Sequence, residues 1–185
     1  MVATLSGTGL LQRITGGVGA LGRLERAAAA GLPPVLRLAA LAVGGLHDAD
    51  RLRDRLRLSK QEQAQLIGYA QVLAAVHDRV MIDAATARAL AAEHGIPLMT
   101  ATLTILAGEP RPHVIDTAWQ ALQALGEGRP TFPLTGADLV AAGLQPGPVI
   151  GRGLAAARKL WLERGCPTGP EVKAELLSRA VTEAR

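Results

Sequence analysis

Cysteine is almost missing from this chain of 185 residues. The single Cys166 excludes an internal disulfide and leaves no cysteine pair to ligate a metal. Aromatic residues are nearly as scarce, being Tyr69, Trp119, Phe132 and Trp161. Strand-favouring residues are also thin, which argues against a sheet-based fold. The longest apolar stretch, Val35 to Leu46, contains Arg37 and falls short of the roughly 20 residues that a membrane helix needs. No charged-then-apolar leader opens the sequence, so the expectation is a cytoplasmic protein without a membrane partner. No serine, cysteine or lysine stands in a nucleophile signature such as G-x-S-x-G.

What is present is mostly Ala and Leu. Hydrophobic residues make up 49% of the chain, enough to bury a core. Ala and Leu lose little side-chain freedom against the preceding helical turn, so the composition points to an all-α fold. The length suits one domain, or one domain with a small appendage. The formal charge of +4 favours an anionic partner, although Arg/Ala-rich sequences are often basic.

Periodicity and capping signals divide the chain into helices. A helix from Val18 to Ala30 is closed by Gly31, and Pro33-Pro34 opens the next. Asp48 or Asp50 suits the cap of a helix through Leu52 and Leu56. Ser59-Lys60-Gln61-Glu62 reads as a capping box, followed by Leu66, Tyr69, Leu73 and Val76 on one face. Asp83 and Gly95 bracket another helix. Thr100, Thr102 and Thr104 alternate as in a strand, but Pro97 and Gly108 bracket the segment as a helix. Ile115, Trp119, Leu122 and Leu125 form a helical stripe. Gly126 to Pro130 breaks the pattern and is the expected linker. The expected organisation is a body of several antiparallel helices over 1–128, with 1–31 at its junction, and a small helical tail over 129–185.

Four motifs have chemistry to offer, and each has a plainer reading. Gly17-Val18-Gly19-Ala20-Leu21-Gly22 matches G-x-G-x-x-G, but no strand precedes it and no acid follows near Leu41 to Gly44. A Gly-rich start to a helix fits better. His47-Asp48 and His77-Asp78 lack the further ligands of a metal-dependent phosphohydrolase and read as surface residues. Asp48-Ala49-Asp50 would hold Mg²⁺ on a strand, where residues two apart share a face; on a helix they diverge. Arg51, Arg53, Arg55, Arg57 and Lys60 form the densest basic run, either a solvated face paired with Asp50 and Asp54 or a nucleic-acid contact.

The stretch from Thr135 to Gly151 says most. Thr135, with Asp138 three residues on, caps a short helix. Gly147-Pro148 then opens a longer one with Ile150, Leu154, Ala157 and Trp161 inward and Arg152 and Lys159 opposite. The free N–H groups and positive dipole end of such a helix can receive a phosphate. No acid occurs between Leu139 and Leu162, where Arg152, Arg158 and Lys159 lie. A simple helical corner is the alternative. A last helix begins at Thr168-Gly169-Pro170, with Val172, Leu176 and Ala180 inward.

Phe132-Pro133-Leu134-Thr135-Gly136-Ala137-Asp138-Leu139, then Pro146-Gly147-Pro148 with Gly151 and Trp161, resembles the tail of class II CCA-adding tRNA nucleotidyltransferases of the poly(A) polymerase family. Leu36-Arg37-Leu38-Ala39-Ala40-Leu41 and Arg55-Leu56-Arg57-Leu58-Ser59 resemble the helical body of a bacterial subgroup, and Thr8-Gly9-Leu10-Leu11 the point just after the neck. The order matches across most of the chain. Departures are Ser6-Gly7 in place of a charged residue, the helix-weakening Gly153 and the segment from His77 to Asp83. The resemblance implies a tRNA acceptor arm as partner, with Thr135, Gly136, Gly147, Gly151, Arg152, Arg158 and Lys159 as RNA contacts. It places Mg²⁺, CTP and ATP in a separate head, whose Gly-Ser loop, D-x-D strand and neck residues have no match here. No catalytic or metal residue is therefore expected in this chain, and a separate head-and-neck polypeptide is a candidate partner. The competing expectation is a helical protein-interaction module without RNA binding.

Overall fold

Twelve helices are found among residues 2–126 and 128–184, the residues that the computed structural model describes. The all-α class is correct: the chain is 70% helical and has almost no strand. Among the described residues, no helix is long and apolar enough to cross a membrane. Two compact units form. The first joins Met1–Ile82 to Pro97–Ile115, and the second joins Asp83–Ile96 to Asp116–Arg185.

The first unit contains α1 (Val2–Gly7), α2 (Leu10–Thr15), α3 (Leu21–Ala29), α4 (Pro34–Ala42), α5 (Leu46–Leu56) and α6 (Lys60–Val76), with α8 (Ile96–Leu106) from Pro97 onward. Helix α4 packs on α3 and α6, and α5 packs on α2 and α6. The α6 face expected from spacing is the buried one, comprising Leu66, Tyr69, Leu73 and Val76. Ser59 forms its capping box: its N–H donates to Glu62 Oε2 at 2.8 Å, and Glu62 N–H donates to Ser59 Oγ at 3.2 Å. The threonines of α8 turn back on the helix, with Thr102 Oγ1 donating to Leu98 O and Thr104 Oγ1 to Thr100 O, both at 2.9 Å. The 100–106 segment is thus part of a helix, whose backbone carbonyls accept these hydroxyls.

Helices α1 and α2 and one pair of short strands have no counterpart in the sequence reading. Met81–Ile82 (β1) pairs in parallel with His113–Val114 (β2). The pair lies in the segment where the spacing shows no helical stripe, and it buries Ile82 completely.

The second unit contains α7 (Ala84–His94), α9 (Asp116–Leu125), α10 (Gly136–Ala141), α11 (Pro148–Glu163) and α12 (Pro170–Ala184). Asp83 caps α7 through Thr86 N–H at 2.9 Å, and Gly95 ends it at φ 86°. On α9 the buried stripe is Ala118, Ala121 and Leu122, with Trp119 only half-buried. The alanine face of α9 packs on α7. The division at residue 128 therefore does not match the compact units, because α7 and α9 belong with residues 129–185. Arg129 supplies one reason. Its Nε and Nη2 donate to Ala92 O and Glu93 O, each at 2.7 Å, and so close the carboxyl end of α7. Of the expected linker, Glu127 lies outside the described residues.

Helices α11 and α12 form the centre of the second unit. Trp161 is 1% exposed, packed with Leu134, Leu139, Leu176 and Ala180. Phe132 meets its ring edge-on at 5.5 Å, and its Nε1–H donates to Pro167 O at 2.9 Å. The buried indole thus has its polar atom satisfied.

Candidate nucleic-acid interface

The α11 surface opposite Trp161 brings together two of the expected RNA-contact residues. Residues seven apart on a helix return to the same face, so Arg152 and Lys159 line one groove between α11 and α12. Arg179 of α12 lines it as well, together with Glu163 and Glu183. The groove has a volume of about 680 Å³. Arg158, one residue before Lys159, lies round the helix and near enough to Cys166 to act on its thiol. Burial outweighs that effect and pushes the Cys166 thiol up to about 11.

The amino end of α11 is exposed at Gly147 and Pro148. Gly147 has φ 154°, a backbone state that favours glycine. At Gly151 a Cβ would meet nothing within 4 Å, so the backbone there is open to a large partner. Gly136 lies beside this first turn, with its notional Cβ 3.5 Å from Ile150 Cγ2. Thr135 is different in kind. Its N–H and hydroxyl both bond Asp138 Oδ2, at 2.7 and 2.8 Å, while Lys173 Nζ pairs with Asp138 Oδ1 at 2.7 Å. Those contacts, Lys173 first, hold the Asp138 carboxyl down to about 2. The start of α10 is thus already occupied by a carboxylate, whereas the start of α11 has none. No family model, curated protein or solved structure matches this chain.

Gly153 has a role that its weak helix propensity conceals. A Cβ there would lie 2.6 Å from Ala180 O and 3.1 Å from Leu139 Cδ2. Its missing side chain is what lets α11 and α12 approach, and hence what narrows the groove. Arg179 had no signal in the tail motif, since it sits 20 or more residues from Arg152 and Lys159 and joins them only through that approach.

The other motifs resolve into structure. Arg51 and Arg55 are not a free basic face: Arg51 Nε donates to Thr15 O at 3.0 Å and Arg55 Nη1 to Arg13 O at 2.7 Å, closing the end of α2. Asp48, rather than Asp50, pairs with Arg51. Burial alone would raise the Asp48 pKa, but the Gly44 and Gly45 N–H groups, at 2.7 and 2.9 Å, and Arg51 hold it below the usual carboxylate range. Asp50 instead accepts Gln63 Nε2 at 2.9 Å. The two acids therefore diverge and do not fit a shared Mg²⁺. Among the described residues, no three His, Cys, Asp or Glu side chains gather as metal ligands. In the Gly17–Gly22 segment, Gly19 is pressed against Leu11 and Leu41, where a Cβ would lie within 2.9 Å of each, so packing accounts for it.

Proposed function

We propose that this chain binds the acceptor arm of tRNA, as the body-and-tail portion of a CCA-adding enzyme whose nucleotidyl-transfer head lies outside these residues. The observation that supports it most is the juxtaposition on α11 of an acid-free amino end, an open backbone at Gly151, and Arg152 and Lys159 in one groove. A helix amino end and flanking cations are the means by which proteins hold phosphate oxygens. In this reading the chain works in the cytoplasm in tRNA 3′-end processing. Mg²⁺, CTP and ATP act in the head, and Arg158 serves at the margin of the contact.

The test is competition. A labelled tRNA lacking its 3′ end is bound by the purified chain at low salt, then challenged with an acceptor-arm hairpin or an anticodon-arm hairpin of equal length. The reading predicts displacement by the acceptor arm at several-fold lower concentration. Equal displacement by both would reduce the chain to a general polyanion binder.

One observation favours a second reading, a protein-interaction module. In the first unit, Leu36, Ala64, Leu98 and Ala101 line a mainly apolar groove of about 540 Å³, of the kind that takes an amphipathic helix. Absence of tRNA binding at any salt concentration would leave that reading standing.

A further inference from the structure

The α11–α12 groove is not uniformly basic. Arg152, Lys159 and Arg179 share it with Glu163 and Glu183. Each acid sits four residues from a cation on its own helix: Lys159 Nζ is 3.9 Å from Glu163 Oε1, and Arg179 Nη2 is 3.0 Å from Glu183 Oε2. Among the described residues, Arg152 has no such carboxylate. It is also the groove cation nearest in sequence to the amino end of α11, where the helix itself favours an anion.

We infer that Glu163 and Glu183 are specificity-determining residues that compete internally with phosphate, leaving Arg152 as the primary contact and Lys159 and Arg179 as cations held in reserve. The inference rests on the tRNA-binding reading and deepens it. Exposed i,i+4 pairs of this kind are weak, because water screens both charges. Lys159 and Glu163 keep 79% and 59% of their side-chain surface in water, so a phosphate arriving at the groove can draw Lys159 away. The carboxylate left behind then repels the same phosphate. The net effect is a contact that is moderate in strength and directional. Phosphate binds at the α11 amino end first, and further along the groove only where the RNA backbone supplies a second phosphate in place of Glu163. A short ligand such as pyrophosphate, which cannot reach along the groove, gains Arg152 alone, whereas a continuous backbone gains all three cations. The device would favour a nucleic-acid strand over free phosphorylated metabolites.

The experiment compares the unaltered chain with Arg152→Ala, Glu163→Gln, Glu183→Gln and the Glu163→Gln/Glu183→Gln pair, using tRNA lacking its 3′ end and, separately, inorganic pyrophosphate. Both glutamates are about half exposed, so the Gln variants should fold, and thermal melts monitored by circular dichroism establish that they do. Arg152→Ala should weaken tRNA binding by about tenfold, the worth of one charge-assisted contact. The Gln pair should tighten it by roughly threefold to tenfold at low salt and steepen the dependence of log K on log salt, by up to about 0.7 for each cation released. The pair should also raise pyrophosphate affinity relative to tRNA. If the Gln variants bind tRNA as the unaltered chain does, while Arg152→Ala weakens it, the inference is wrong and the tRNA-binding reading survives. If the unaltered chain binds no tRNA at low salt, both fall together.

Discussion

Two glycines two residues apart on α11 obey opposite rules. Gly153 faces the Ala180 carbonyl, a backbone atom that cannot swing aside, whereas Gly151 faces open space. Gly151→Ala should therefore stabilise the chain by up to about 1 kcal/mol through helix propensity. Gly153→Ala gains the same propensity but incurs overpacking of about 1–3 kcal/mol, giving a net loss. Urea unfolding midpoints should move in opposite directions for the two variants. If Gly151→Ala is as stable as expected yet binds tRNA less well, the loss reports close approach of RNA to the backbone. Asp138 gives a pH-dependent counterpart. Its Lys173 and Thr135 contacts lower its folded pKa to about 2 from an ordinary 3.8, so the folded state binds the proton less readily than the unfolded chain. The stabilisation is complete above the ordinary value and is lost as pH falls toward 2. An NMR titration of the Asp138 side-chain carboxyl should show that depressed midpoint, and Lys173→Met should move it upward.

Helix ends carry much of what was hidden in the sequence. The Ser59 and Asp83 caps were legible because their partners lie three residues away, within reach of a local motif. The Arg129 contacts to Ala92 O and Glu93 O span 37 and 36 residues, and nothing local to either end announces them. The same holds for Arg51 and Arg55 on the last carbonyls of α2, which as letters in a basic run looked like surface charge. Arg129→Ala should cost roughly 1–2 kcal/mol, two charge-assisted bonds discounted for exposure. Amide exchange should quicken in the last turn of α7 well before the α11–α12 pair is affected. Protection unchanged at Ala91 to Gly95 would show that water replaces the guanidinium without loss. At α11, Trp161→Ala should cost about 3–5 kcal/mol, since it empties the largest fully buried side chain and strands the Pro167 carbonyl. The inward placement of Trp161 was readable from spacing alone, whereas its edge contact with Phe132 across the turn was not.

Over the whole molecule, the helices from α3 onward were readable because Ala and Leu periodicity agrees with their caps, and far-UV circular dichroism should accordingly be dominated by helix. The division into units was not readable. Asp83–Ile96 joins residues that follow it in sequence by 20 or more, an association made by small-residue helix packing and by Arg129 rather than by any break in composition. The candidate interface was half legible. Arg152 and Lys159 came from helical periodicity, but Arg179 and the two opposing glutamates came only from the meeting of α11 and α12. On the proposed tRNA-binding reading, these residues alone should add no nucleotide to shortened tRNA when given CTP, ATP and Mg²⁺, and incorporation of CMP by the chain alone would overturn that reading. The most direct measurement is tRNA affinity by fluorescence anisotropy across a salt series, for the unaltered chain and for Arg152→Ala/Lys159→Ala. The account predicts weaker binding to every tRNA and a dependence on log salt flattened by roughly one to two units, because those phosphates no longer displace counterions at the groove. An unchanged slope in the double variant would contradict it, since the phosphates would then be bound elsewhere.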